Sequence, residues 1–104
     1  MEFGPWLAKR RNLAGLTQAQ LATKTSLSPS YIARLELGTA EPPPRSTCRA
    51  LARALGIDFD EIWGQSFAAR LRRWLRREGY GSIQEPKLLD LLTQIQSSQR
   101  PPVT

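Results

Sequence analysis

The side chains able to do chemistry in this sequence are hydrogen-bond donors rather than bases or nucleophiles. There is no histidine, and the single cysteine, Cys48, lies on the apolar side of a helical pattern. Histidine acid–base catalysis, Cys-His zinc binding and an internal disulfide are therefore excluded. Asp58, Asp60 and Glu61 fall close together, but at the spacing of helix-capping residues and not as a facing pair of catalytic carboxylates. No glycine-rich phosphate loop or metal-ligand spacing occurs, so no enzymatic activity, metal or cofactor is expected. What remains is a surplus of cationic donors, fifteen Lys and Arg against nine Asp and Glu, for a net charge of +6. Such a balance favours an anionic partner, of which nucleic acid is the commonest. Residues 1–64 carry eight basic and six acidic side chains and residues 65–104 carry seven and three, so the surplus is concentrated in the C-terminal part.

The elements that must position these donors can be read from spacing and punctuation. Phe3, Trp6, Leu7, Arg10 and Leu13 recur at intervals of three and four, which predicts a first helix over residues 5–14 with Pro5 near its start, Gly15 as its stop, and Trp6 and Leu7 facing the core. Thr17 with Gln20 three residues on forms a capping box for a second helix over 17–25. Ser28 can cap again, Pro29 follows at a position where its missing N–H is harmless, and a third helix runs over 29–37 to Gly38. The stretch from Thr39 to Pro44 holds three consecutive prolines and must be a rigid loop. A fourth helix over 46–55 carries Cys48, Leu51, Ala52 and Leu55, and a short fifth one, capped by Asp58 with Glu61, closes at Gly64.

Two further helical patterns follow. On a helical wheel, residues 67–78 gather Phe67, Ala68, Leu71, Trp74 and Leu75 within an arc of about 120°, opposite Arg70, Arg72, Arg73, Arg76 and Arg77. Residues 87–96 place Leu88, Leu91, Leu92 and Ile95 on a second apolar stripe, and residues 98–104 read as a flexible tail. The expected fold is all-α: a five-helix helix-turn-helix domain over residues 1–64 and a helical extension over 65–97. The start MEFGPWLAKRR places its charges after a very short apolar stretch, unlike a signal peptide, and no window approaches 18 apolar residues. A soluble cytoplasmic protein is expected, away from any membrane.

The run GLTQAQLATKTSLSPSYIARLELG, followed by ALARALGIDFDEIW, resembles the Cro/C1, or XRE-type, helix-turn-helix family over residues 5–63. The resemblance rests on Leu16, Thr17, Gln18, Leu21, Ala22, Ile32, Leu35, Glu36, Gly38, Ala52, Leu55 and Gly56 at the family's spacing. It implies a lambda-repressor-like fold, binding to double-stranded DNA, and a pairing of Arg11 with Glu36. It also implies that base contacts come from Pro29, Ser30, Ala33 and Arg34, on the face opposite Ile32 and Leu35. Arg34 has the chemistry to bond two acceptors of guanine in the major groove, where one good bidentate pair gives about 1–3 kcal/mol of discrimination; a phosphate contact or plain solvation is the alternative. Ser30 discriminates weakly, and Pro29 and Ala33 offer only apolar surface suited to a thymine methyl. Contacts to the DNA backbone fall to Thr17, Gln18, Thr39, Arg45 and backbone N–H groups, with Tyr31 either bonding a phosphate or packing on the second helix.

Three departures from the family pattern bear on this expectation. Ser26 stands where the turn usually has glycine, at a cost on the order of 1 kcal/mol for a left-handed conformation. The loop after the third helix reads TAEPPPR and is less basic than usual. The reading face is also poor in long polar side chains, so specificity is expected to come from two subunits or from DNA shape.

The stripe of Phe67, Leu71, Trp74 and Leu75, with Leu88, Leu92 and Ile95, needs a covering surface. A homodimer meets that need and would span two half-sites about 34 Å apart; the alternative is that these helices cap the monomer. For Arg70, Arg72, Arg73, Arg76 and Arg77 three readings stand: a solvated face, a phosphate-facing surface with Arg70, Arg73 and Arg77 as the DNA-backbone contacts, or a membrane-surface helix, the last disfavoured by the preceding DNA-binding domain. The functional expectation is a transcriptional regulator bound as a dimer to an inverted-repeat operator. The competing one is an antitoxin or other interaction protein with the same domain, whose C-terminal segment holds a toxin; RNA polymerase, blocked or recruited by the regulator, is the other expected protein partner.

Overall fold

A computed structural model describes residues 2–78 and Thr93. Among the described residues every regular element is a helix: α1 (Phe3–Leu13), α2 (Gln18–Thr25), α3 (Pro29–Leu37), α4 (Arg45–Leu55) and α5 (Phe59–Arg77). The chain divides into two compact units, Met1–Arg70 and Leu71–Thr104.

In the first unit the apolar positions read from the sequence do meet. Phe3, Trp6 and Leu7 of α1, Leu21 and Ala22 of α2, Ile32 and Leu35 of α3, and Cys48, Leu51, Ala52 and Leu55 of α4 are buried with Ile62 of α5 in one cluster. Helix α1 begins at Phe3, two residues before the expected start, because Phe3 is itself a core residue in contact with the Trp6 ring. Pro5 therefore sits inside the first turn, where its missing N–H still breaks no helical bond. The early start also brings Gly4 against the end of α3. A Cβ there would lie 2.8 Å from the Leu35 carbonyl oxygen and closer still to that of Glu36, so only glycine admits this crossing.

The fifth helix does not close at Gly64; it runs on to Arg77 and absorbs the pattern expected as a separate helix over 67–78. Gly64 lacks the positive φ of the three glycines that follow α1, α3 and α4. An isolated glycine costs a helix about 1 kcal/mol relative to alanine, and the surrounding packing outweighs that cost. Ile62 and Ser66 are fully buried on either side of it. The Phe59, Trp63 and Phe67 rings follow one another along the helix with centroids 6.2 Å apart, Phe59 and Trp63 stacked and Trp63 and Phe67 tilted by 48°. Glu61 was expected to cap α5, but its carboxylate forms an ion pair with Arg10 of α1, and the backbone oxygen of Asp58 accepts from the Glu61 and Ile62 N–H groups.

Of the second unit, the C-terminal end of α5 is described. Leu75 is buried, Leu71 is half-buried and Trp74 is 50% exposed. The expected stripe of Leu88, Leu92 and Ile95 and the tail from residue 98 lie outside the described residues.

Candidate nucleic-acid interface

Local hydrogen bonding accounts for the angle between α2 and α3. Thr17 Oγ1 accepts from the Gln20 N–H at 3.0 Å while the Thr17 N–H donates to Gln20 Oε1 at 2.9 Å, completing the capping box. At the other end of α2, Ser26 takes the left-handed conformation with φ 59°, which lets the Leu27 N–H bond back to the Ala22 carbonyl at 3.1 Å. The non-glycine residue thus adopts the strained geometry that the turn requires. Ser28 Oγ then accepts from the Tyr31 N–H at 3.0 Å, Pro29 occupies the first position of α3, and Gly38 at φ 79° terminates it.

Packing holds this pair of helices in one orientation. Leu21, Ala22, Ile32 and Leu35 are buried between them and Leu27 packs at the edge, so α3 can expose only its other face. On that face Pro29, Ser30 and Arg34 are exposed and Ala33 is half-buried. Leu37, which the sequence reading did not single out, falls on the same side and is 76% exposed; its position four residues after Ala33 was the available signal. The Arg34 guanidinium lies 5.8 Å from the centroid of the Tyr31 ring, and so is steadied by a cation–π contact while remaining at the surface. Tyr31 is half-buried and packs on the core cluster; desolvation pushes its hydroxyl pKa up, so it stays a protonated donor.

The end of α3 is anchored by a polar cluster. Glu36 Oε2 accepts from Arg11 Nε at 2.7 Å, and Glu36 Oε1 accepts from Arg11 Nη2 at 2.9 Å and from Gln18 Nε2 at 3.1 Å. Arg11 Nη1 further reaches the Leu16 carbonyl at 2.9 Å. The pairing of Arg11 with Glu36 implied by the family resemblance is thus present in bidentate form, and donating these hydrogen bonds to the Glu36 carboxylate raises the arginine's pKa. Gln18, expected to face a phosphate, has its amide turned toward Glu36, which ties α1, α2 and α3 at one point.

Beyond Gly38, Thr39 is exposed and its hydroxyl donates to the Arg34 carbonyl at 3.4 Å. Arg45 is exposed at the start of α4, its guanidinium 5.7 Å from the centroids of both Phe59 and Trp63. Arg70 sits over the Trp63 ring at 5.8 Å and bonds the Pro42 carbonyl at 3.1 Å. Arg73 is half-buried and Arg77 exposed. Among the described residues no group of His, Cys, Asp and Glu could hold a metal ion.

A family model described as helix-turn-helix matches residues 7–62. The immunity repressor protein of Bacillus phage phi105 is 42% identical over 65 residues, which cover 62% of this chain and 44% of the phage protein. The chain therefore matches less than half the length of that curated relative. A chain of the solved SinR protein/SinI protein complex is similar in fold, with a TM-score of 0.56 at 15% identity over 93% of this chain and 99% of that one.

Proposed function

Because the chain belongs to the helix-turn-helix family, we propose that it is a DNA-binding transcriptional regulator that reads double-stranded DNA with α3. The observation carrying this reading is the orientation of α3: Ile32 and Leu35 are buried while Pro29, Ser30 and Arg34 are presented outward. In this reading Arg34 takes two guanine acceptors in the major groove, while Pro29, Ser30 and Ala33 supply smaller contacts. Thr17, Gln18, Tyr31, Thr39 and Arg45 lie at the ends of α2, α3 and α4, where contact with the DNA backbone sets register but carries little sequence information. The likeness to a phage immunity repressor favours repression as the sign of regulation.

A recognition helix with one long polar reader gains specificity by pairing two copies on an inverted repeat. We assign that pairing to residues 65–97, through Phe67, Leu71, Trp74 and Leu75 together with Leu88, Leu92 and Ile95. Support comes from Trp74, half exposed at the end of α5, since a ring of that size gains most by being covered. The same ring favours a second reading, in which a protein partner such as a toxin or RNA polymerase takes the place of the second copy. Action on DNA places the protein in the cytoplasm in this reading; no helix among the described residues is long and apolar enough to cross a membrane. Selection of bound duplexes from a random pool, with the molecular mass of the bound species measured alongside, tests the whole reading. An enriched inverted repeat held by two copies supports it, and a pool without enrichment moves the weight to the protein partner.

A further inference from the structure

The loop between α3 and α4 has a hydrogen-bonding problem of its own making. Pro42, Pro43 and Pro44 have no N–H, so the loop cannot satisfy its carbonyl groups internally in the way a turn does, and Pro42 and Pro43 are buried away from water. A buried carbonyl needs a donor from elsewhere. Here the donors come largely from α5. Ser66 Oγ, itself fully buried, donates to the Pro43 carbonyl at 2.6 Å. Arg70 Nη2 reaches the Pro42 carbonyl at 3.1 Å and that of Pro43 at 3.4 Å. Cys48 Sγ of α4 approaches Pro43 O at 3.5 Å. The Arg70 guanidinium is held from behind by the Trp63 ring, which also underlies Arg45.

We infer that Arg70, with Ser66, is a positioning residue for DNA binding: it holds the proline loop and thereby sets where Thr39 and Arg45 stand, without touching DNA. This rests on the DNA-binding reading above. The loop leaves α3 at Gly38 and enters α4 at Arg45, so a clamp at Pro42 and Pro43 acts on both flanking contacts. A second clamp of this kind is not needed at α2, whose position the Arg11, Glu36 and Gln18 cluster already secures.

A direct phosphate contact and a positioning role differ in their salt dependence. Losing one phosphate contact lowers the slope of log affinity against log salt by about one unit; a positioning residue can lower it only through the contact it positions, here Arg45, so the two roles separate in an Arg45→Gln background. The experiment uses the full chain and a duplex selected from a random pool, with affinity titrated across a salt series and the active fraction fixed by stoichiometric titration. Arg70→Gln is expected to weaken binding on the order of five- to tenfold and, when added to Arg45→Gln, to leave the slope of that background unchanged. Arg70→Lys, which keeps a donor for the carbonyls, is expected to recover part of the loss. Ser66→Ala gives an independent variant should Arg70→Gln fold poorly, and it is expected to repeat the pattern. In the Arg45→Gln background the Arg70 effect on affinity is expected to shrink to the part that acts through Thr39, because the Arg45 contact is already gone. A slope lowered by about one further unit when Arg70→Gln is added to Arg45→Gln makes Arg70 a phosphate contact and overturns the inference, as does unchanged affinity in both the Arg70→Gln and Ser66→Ala proteins. Absence of any duplex binding by the wild-type chain instead removes the DNA-binding reading itself.

Discussion

Replacing Glu36 by alanine tests whether the polar cluster at the end of α3 carries the orientation of that helix. The carboxylate accepts three hydrogen bonds, two from Arg11 and one from Gln18. The two charged side chains are only 14% and 7% exposed, so the pair is largely shielded from solvent screening. Its removal leaves the Arg11 guanidinium with the Leu16 carbonyl and Asn12 as partners and no counter-charge nearby. Breaking one side of a buried pair costs about 3–5 kcal/mol, and the two acceptors retained by Arg11 place the expected loss near the lower end, at about 3 kcal/mol. For a domain of this size that corresponds to a fall in the thermal midpoint of roughly 12–24 °C. Thermal unfolding followed by circular dichroism reads it directly. Arg11→Met combined with Glu36→Leu is expected to recover much of the loss, since an apolar pair of similar volume removes the stranded charge. A loss below about 1 kcal/mol, the range of an exposed surface pair, would refute the reasoning.

Gly64→Ala is expected to stabilise the protein by up to about 1 kcal/mol in chemical denaturation, because α5 continues through this residue and a Cβ there would meet nothing within 4 Å. A destabilising effect would mean that the helix breaks there. Cys48 is buried, and desolvation pushes its thiol pKa up. The folded state therefore favours the neutral thiol: this contribution to stability is complete below the ordinary thiol pKa and is lost as pH rises through the higher folded value. Labelling with a thiol reagent at pH 8 is expected to proceed only at the rate of unfolding, and fast labelling of the folded protein would contradict the burial.

Much of the helix-turn-helix was legible because its determinants are local. Thr17 with Gln20, and Ser28 with Pro29, each satisfy N–H groups within one helical turn, and both caps form as expected. The left-handed Ser26 was readable from the family resemblance, whose turn usually has glycine at that position. What was not legible depends on distant partners. Gly64 looked like a stop because glycine is a weak helix former, while the burial of Ile62 and Ser66 that overrides it is a tertiary effect. The pairing of Glu61 with Arg10 joins residues with no sequence relation. Ser66 and Arg70 meet the proline carbonyls across more than twenty residues. The run of prolines was itself a clue, because a loop without N–H groups must borrow donors from elsewhere. The outward face of α3 was implied by the family resemblance, although the exposure of Leu37 at its end was missed.

The central claim is that α3 reads bases in the major groove with Arg34 as its main reader. Selection of duplexes from a random pool by the wild-type chain, repeated with Arg34→Ala, tests it most directly. The expected result is an enriched site containing a guanine whose preference is lost in the Arg34→Ala protein, with about 1–3 kcal/mol of discrimination removed at that base pair and little change elsewhere. An unchanged preference at every position, with only a uniform loss of affinity, would contradict the claim and leave Arg34 as a contact to the DNA backbone.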